Sequence, residues 1–193
     1  MGVTEPIRNL EDIEKIKQFY YLNGRWRDYT LFVVGLNTAL RISDLLLLRW
    51  EQVYNFECEH FYKYLYIQEK KTRKRNQIVL NENVLKAFKI LWSNTRQEIM
   101  PNNFIFRSQK GYNQPIHRSR AFIIIKEAVT KLDIEGNISC HSLRKTFGYQ
   151  AWKRGVPPAI IMEIYNHSSL AITKRYLAIN QDDKDQVFTS LLI

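Results

Sequence analysis

His141-Ser142-Leu143-Arg144 sets a histidine and an arginine three residues apart, a spacing that on a helix puts both side chains on one face, within reach of a single phosphate. Twenty-six residues beyond His141 comes Asn166-His167-Ser168-Ser169, and nine beyond His167 comes Tyr176, preceded by Lys174 and Arg175. Imidazole exchanges protons near neutral pH, guanidinium stays charged and its planar fork matches two phosphate oxygens, and a phenol can attack phosphorus. The chemistry open to such a set is that of a bound phosphate, which the histidine and the arginine could reach together. Singly, each residue has a plainer reading: a lone histidine is usually structural, a basic residue solvated, a helical tyrosine part of a core. Nine residues turn a straight helix through half a circle, so a break near Ser168 and Ser169 is required to bring His167 and Tyr176 to one site.

The rest of the composition bounds what such a site would act on. At 193 residues the chain can bury a real core and is read as one domain. Lysine and arginine outnumber acids by 29 to 19, a net charge of +10, and 13% aromatic residues argue against a disordered basic tail. A folded, polyanion-binding protein follows, against the alternative of a surface made basic for solubility. No segment approaches the apolar run of about 20 residues needed to span a bilayer, and Met1 to Asn9 lacks a signal peptide's hydrophobic region. Cys58 and Cys140 lie too far apart for a CxxC pair, so a reduced, cytoplasmic setting is the simplest account. His60, His117, His141 and His167 form no HExxH and no paired ligand spacing, and Glu57-Cys58-Glu59-His60 reads as a polar loop, so neither metal nor cofactor is expected.

The elements that must carry these residues can be read from periodicity. Leu10 to Tyr21 and Asp28 to Leu36 have apolar residues at helical spacing, parted by an Asn23-Gly24 turn. After Arg41, Ser43 is a good N-cap, with Asp44 in the first turn and an apolar run from Leu45 to Leu48 ending at Trp50. Phe61 to Gln68 is rich in strand formers, and Gln77 to Leu80 resumes after the basic stretch Lys70 to Arg75, which predicts a β-hairpin with a cationic tip. Helices return through Val84, Leu85, Phe88, Leu91 and Trp92, and again from Ser119 to Leu132. Loops are marked at Pro101-Asn102-Asn103 and from Gly111 to Pro115. His141 to Lys153 stops at Gly155, Pro157 and Pro158 open a helix through Tyr165, Ser168 or Ser169 caps another, and Asp182 to Leu192 forms a short terminal helix. With no repeat or linker, the expected architecture is α+β: mainly α with a small antiparallel β-sheet.

The order of these residues resembles that of the tyrosine site-specific recombinases of the phage integrase family, from about Pro6 to about Asp185. Thr38-Ala39-Leu40-Arg41-Ile42-Ser43-Asp44-Leu45 is similar to the family's first arginine motif, with Leu36 and Trp50 at its flanks. Lys71-Thr72 resembles the β-turn lysine, with Lys70 and Lys74 as neighbouring candidates, and His141-Ser142-Leu143-Arg144 resembles the HxLR box. His167 matches the histidine of the Leu-Gly-His motif and Tyr176 the nucleophile, so all six family positions are filled. Tyr165-Asn166 replaces Leu-Gly, and Lys145 stands where many relatives have a second histidine.

The resemblance implies the tyrosine recombinase catalytic-domain fold over residues 1–193. It implies a chain without the N-terminal helical domain that clamps the other side of the DNA, as a piece of a longer protein or as a short form like the fimbrial inversion recombinases. It also implies double-stranded DNA as partner, a tetramer on two sites, no small-molecule substrate and a bacterial or phage origin. Catalysis would then fall to Arg41, Lys71, His141, Arg144, His167 and Tyr176, through a 3′-phosphotyrosine link that needs neither ATP nor metal. Lys70, Arg73, Lys74, Arg75 and Lys145 would contact DNA, and Asp44 would support or cap rather than react. Two rivals share some of these features: a non-catalytic helix-turn-helix protein built on His141 to Tyr165, and a type IB topoisomerase. The first leaves Arg41, Lys71, His167 and Tyr176 unexplained together, and the short hairpin and His167 motif look less like the second.

Overall fold

The computed structural model describes residues 3–71, 73–95 and 99–191. Thr72 and the end of the expected terminal helix at Leu192 lie outside them. Helix α1 (Leu10–Leu22) starts where the Asn9 side chain accepts from the Glu11 N–H. Helix α2 (Trp26–Thr38) is buried almost all round from Asp28 to Gly35, as a central helix must be. It packs against α4 (Glu82–Ser93) and α6 (Cys140–Lys153), while α5 (Arg118–Lys131) touches both α1 and α6. Three shorter helices close the chain: α7 (Pro158–Ile164), α8 (Leu170–Leu177) and α9 (Gln181–Ser190).

Two details differ from the expectation. The helix after Arg41, α3 (Ile42–Leu45), is four residues long, and its N-cap is Arg41 rather than Ser43. The Arg41 carbonyl already accepts from the Asp44 and Leu45 N–H groups, which starts the turn two residues before Ser43 can cap it. The chain leaves the helix before Trp50 because Ile105 N–H must reach the Leu48 carbonyl, and Arg49 bridges to Phe104. The single sheet is in fact two antiparallel pairs: β1 (Tyr54–Asn55) with β2 (His60–Phe61), and β3 (Tyr64–Gln68) with β4 (Arg75–Val79). The second pair is the expected hairpin, with Gln68 opposite Arg75 and Glu69, Lys70, Lys71, Arg73 and Lys74 at its tip.

Most of the apolar interior is one cluster that joins α1, α2, α4, α5 and the first half of α6. A smaller cluster of Ala39, Ile161, Tyr165 and Leu177 sits beneath α7 and α8. A strap ahead of α1 fastens the two ends of the chain together. Ile7 N–H donates to Thr146 Oγ1 at 2.8 Å, Lys145 Nζ to the Thr4 carbonyl at 2.6 Å, and Gln150 Nε2 to the Arg8 carbonyl at 2.9 Å. Arg8 then reaches the Ala178 carbonyl at 2.5 Å and Asp183 at 3.2 Å.

Asp183 is buried, and it also accepts from the Tyr149 hydroxyl at 2.9 Å and the Asn180 N–H at 3.0 Å, with Lys153 at 3.5 Å. Burial alone would raise its pKa, but these donors outweigh it and hold the carboxyl below its ordinary value. The stabilisation is therefore present above the unfolded-state pKa and lost as pH falls through the folded one. Asp183→Ala is expected to lower stability at neutral pH by about 1–3 kcal/mol in urea unfolding. Asp185→Ala, on the exposed side of the same helix, should stay within about 0.5 kcal/mol of the parent.

Candidate active site

Helix α2 ends at Ala39, whose left-handed backbone (φ 55°) turns the chain so that Arg41 leaves in extended conformation. The Arg41 guanidinium meets the fully buried Glu69 carboxylate at 2.5 Å. Asp44, buried one turn further on, accepts from the Lys70 N–H at 3.1 Å. Two acids thus tie the arginine turn to the hairpin tip. Asp44 caps no helix here; it anchors the backbone of the basic loop. Glu69 was not singled out from sequence, although strand alternation continues the inward face of Leu65 and Ile67 to it, and an acid on that face announces a partner.

On α6 the HxLR spacing brings His141 and Arg144 to one side, and Arg144 is 1% exposed. Its guanidinium donates to the Ala39 carbonyl and, at 2.7 Å, to the Tyr165 carbonyl, and it lies 4.4 Å over the Tyr165 ring. Helix α7 stops at Tyr165 because Asn166 adopts a left-handed backbone (φ 53°), a conformation that asparagine tolerates better than other residues with a side chain. His167 N–H closes the turn on the Met162 carbonyl at 3.0 Å. The break anticipated near the serines is therefore present, and Ser169 caps α8 by accepting from the Ile172 N–H. As a result the Tyr176 ring lies 4.9 Å from that of His141, 4.5 Å from His167 and 5.3 Å from Tyr165.

Five of the six residues expected to react belong to this neighbourhood: His141, Arg144, His167 and Tyr176 in contact through their rings and Tyr165, and Arg41 close enough for its charge to act on both imidazoles. Lys71 is exposed at the hairpin tip and joins the cluster only through the anchored residues beside it. Lys70, Arg73 and Lys74 are likewise exposed on that loop, and Arg75 is exposed at the start of β4. Lys145 differs from its expected place on a DNA-facing surface. It is 5% exposed, with its ammonium on the Thr4 carbonyl, because the N-terminal strap covers that part of α6. Among the described residues no group of three or more His, Cys, Asp or Glu side chains is placed to hold a metal ion.

Burial and then the charges of Lys145, Arg144, Arg41 and Arg118 push the His141 pKa down to about 4. Burial, Arg144 and Arg41 do the same for His167, against a smaller opposing pull from Glu69. His167 Nδ1 is 3.0 Å from Thr173 Oγ1, and among the described residues neither His167 Nε2 nor Arg144 Nε has a hydrogen-bond partner although both atoms are buried. Both imidazoles are neutral at pH 7. Because the unfolded chain binds these protons near pH 6.5 and the folded chain only near 4, stability is complete above about pH 6.5 and declines as pH falls between the two values. Thermal unfolding followed from pH 7.5 to 5 should show that decline, and His141→Gln/His167→Gln should flatten it.

The model of the phage integrase family matches residues 9–183. Over 182 residues the chain is 38% identical to "Probable integrase/recombinase YoeC" of Bacillus subtilis (strain 168), covering 94% of this chain and 93% of that one. It is 25% identical over 181 residues to a "Tyrosine recombinase" of Pseudothermotoga lettingae, covering 94% of this chain and 59% of that one. The fold matches the XerH site-specific recombinase, solved bound to palindromic difH substrate as a post-cleavage complex, with a TM-score of 0.76 at 16% identity. That match covers 98% of this chain and 54% of the XerH chain. The chain thus spans nearly the whole Bacillus protein but less than two thirds of the other two. Neither a bare helix-turn-helix protein nor a type IB topoisomerase is favoured by these likenesses. With a family match over nearly its whole length and the fold to go with it, the chain belongs to the phage integrase family, the tyrosine recombinases, which break and rejoin DNA in site-specific recombination.

Proposed function

We propose that this chain, as one catalytic domain, recombines duplex DNA at specific sites through a covalent bond between Tyr176 and the 3′ phosphate of a cleaved strand. The observation that carries the reading is the Tyr176 ring seated against His141 and His167, beside two buried nitrogens, Arg144 Nε and His167 Nε2, that have no hydrogen-bond partner among the described residues. Buried donors without partners are rare and costly, and a phosphate oxygen between them would satisfy both. The same likenesses that give the family support DNA as the substrate, since the XerH neighbour was solved on its DNA site.

In the forward step the Tyr176 oxygen bonds to phosphorus and the bond to the 5′ oxygen breaks. The phenol proton passes to His141, which is neutral and in ring contact with Tyr176. Arg41 and Arg144 stabilise the charge that grows on the nonbridging oxygens, and His167 donates from Nε2 while its Nδ1 accepts from Thr173. Lys71 protonates the departing 5′ oxygen, and Lys70, Arg73, Lys74 and Arg75 grip the flanking phosphates. A phenol with a reference pKa of about 10 leaves more readily than an alkoxide, so the bond energy is kept for rejoining. The reaction takes place in the cytoplasm on bacterial or phage DNA, between copies of the chain assembled as a tetramer. The exposed Val187, Phe188 and Leu191, on and just after α9, supply apolar surface for such contacts.

Incubating the chain with sheared genomic DNA, denaturing it and sequencing the attached 3′ ends should map the cleavage site. Tyr176→Phe should eliminate the denaturation-resistant adduct and leave DNA affinity nearly unchanged; an adduct that persists in this variant places the nucleophile elsewhere. On the mapped site, Lys71→Ala should cleave roughly 10²–10⁴-fold more slowly. It should recover toward the parent rate when the bridging 5′ oxygen is replaced by sulfur, whose thiolate needs less protonation. Lys70→Ala, which loses only a grip on phosphate, should gain little from sulfur. Rescue of Lys70→Ala instead would move the general acid to that residue.

A further inference from the structure

Resting on that reading of the site, we propose that Tyr165 is a positioning residue for Arg144, and that Gly148 exists to make room for it. Tyr165 touches Arg144 in three ways. Its ring lies 4.4 Å beneath the guanidinium carbon, its carbonyl accepts from Nη2 at 2.7 Å, and its hydroxyl donates to the Arg144 carbonyl at 2.5 Å. The residue is fully buried, and burial holds its phenol protonated far above neutral pH, so the hydroxyl is a permanent donor.

The carbonyl contact needs only a chain that turns at this point, and any residue could provide it. The ring and the hydroxyl are particular to tyrosine. A guanidinium removed from water over an aromatic face is held by the ring's negative potential, and the flat contact fixes its plane. With Nη1 and Nη2 committed to the Ala39 and Tyr165 carbonyls, that plane determines where the unpartnered Nε–H points. The Tyr165 ring thereby sets the direction of Nε–H, on the one guanidinium nitrogen that has no partner among the described residues, toward a phosphate oxygen.

Gly148, one turn beyond Arg144 on α6, supplies the second observation. A methyl group there would run into the Tyr165 hydroxyl and lie 3.0 Å from Cζ and 3.1 Å from Cε2. Helix interiors disfavour glycine relative to alanine, so its place on α6 is explained by the ring packed across it. The His167 motif's departure from leucine at position 165 and the glycine on α6 are thus one feature, with the large ring and its clearance on facing helices.

The test separates positioning from packing. Tyr165→Leu should fold with a void beside Gly148 and cleave the mapped DNA site roughly 5–30-fold more slowly, the rate equivalent of a lost buried cation–π contact. Tyr165→Leu/Gly148→Ala fills that void; it should recover thermal stability and keep the cleavage defect. Tyr165→Phe retains the ring and should restore most of the rate. On a duplex whose scissile phosphate is a neutral methylphosphonate, Arg144 has little charge to stabilise. There the deficits of Arg144→Ala and Tyr165→Leu, each measured against the parent chain, should shrink together. Recovery of cleavage by the filled double variant, or a Tyr165→Leu deficit equal on both substrates while Arg144→Ala is rescued, would overturn the positioning role. An Arg144→Ala deficit that methylphosphonate leaves unchanged would instead remove Arg144 from the phosphate, and with it the reading on which this proposal rests.

Discussion

The burial of one guanidinium organises the catalytic half of this molecule. Arg144 is 1% exposed, and a charge so placed is tolerable only when the fold surrounds it with oxygen and π density. The groups that do so come from two places, the Ala39 carbonyl at the end of α2 and the Tyr165 carbonyl and ring at the end of α7, and Tyr165 is itself held by its hydroxyl bond to the Arg144 carbonyl on α6. None of these groups carries a formal negative charge. The positive charge is therefore solvated without being neutralised, which leaves it available to an anion from outside. A carboxylate in the same position would have neutralised that charge.

Arg41 is treated differently, since it does have an acid, Glu69, and is more exposed. That pair links the arginine turn to the tip of the β3–β4 hairpin, and Asp44 repeats the link through the Lys70 N–H. The basic loop is thus held at its base while its lysines and arginines stay in solvent. One arginine is fixed by backbone dipoles and the other by a charge on a separate element. Their environments differ because one belongs to the rigid helical body and the other to the seam with the hairpin.

Much of this was legible in the sequence because the informative residues are short-range signals. His141 and Arg144 share one helix, Ser169 announces a cap, and the break between His167 and Tyr176 follows from helical geometry alone. The hairpin was legible from strand formers flanking a basic run. What escaped were partners set by distant segments. Glu69 is 28 residues from Arg41, Tyr165 is 21 from Arg144, and the lysine at 145 is covered by a strap 141 residues earlier. The two-residue strands β1 and β2 are too short to leave a periodic trace. The start of a four-residue helix is decided by which carbonyl receives the first N–H rather than by a capping side chain, which is why Ser43 misled.

The strap ahead of α1 has a bearing on how the protein is made. Arg8 finds its partners at Ala178 and Asp183, 170 and 175 residues further along, so neither contact can form until nearly the whole chain has been synthesised. The helix bearing Tyr176 leaves the ribosome long after the strap does, and its C-terminal cap at Ala178 is secured by Arg8. A nascent chain can therefore fold its larger apolar cluster, built mostly from earlier residues, while the helix of Tyr176 is still missing. In this order the larger cluster can be in place before the segment that carries Tyr176 exists, and a fragment that stops short of α8 lacks that tyrosine altogether.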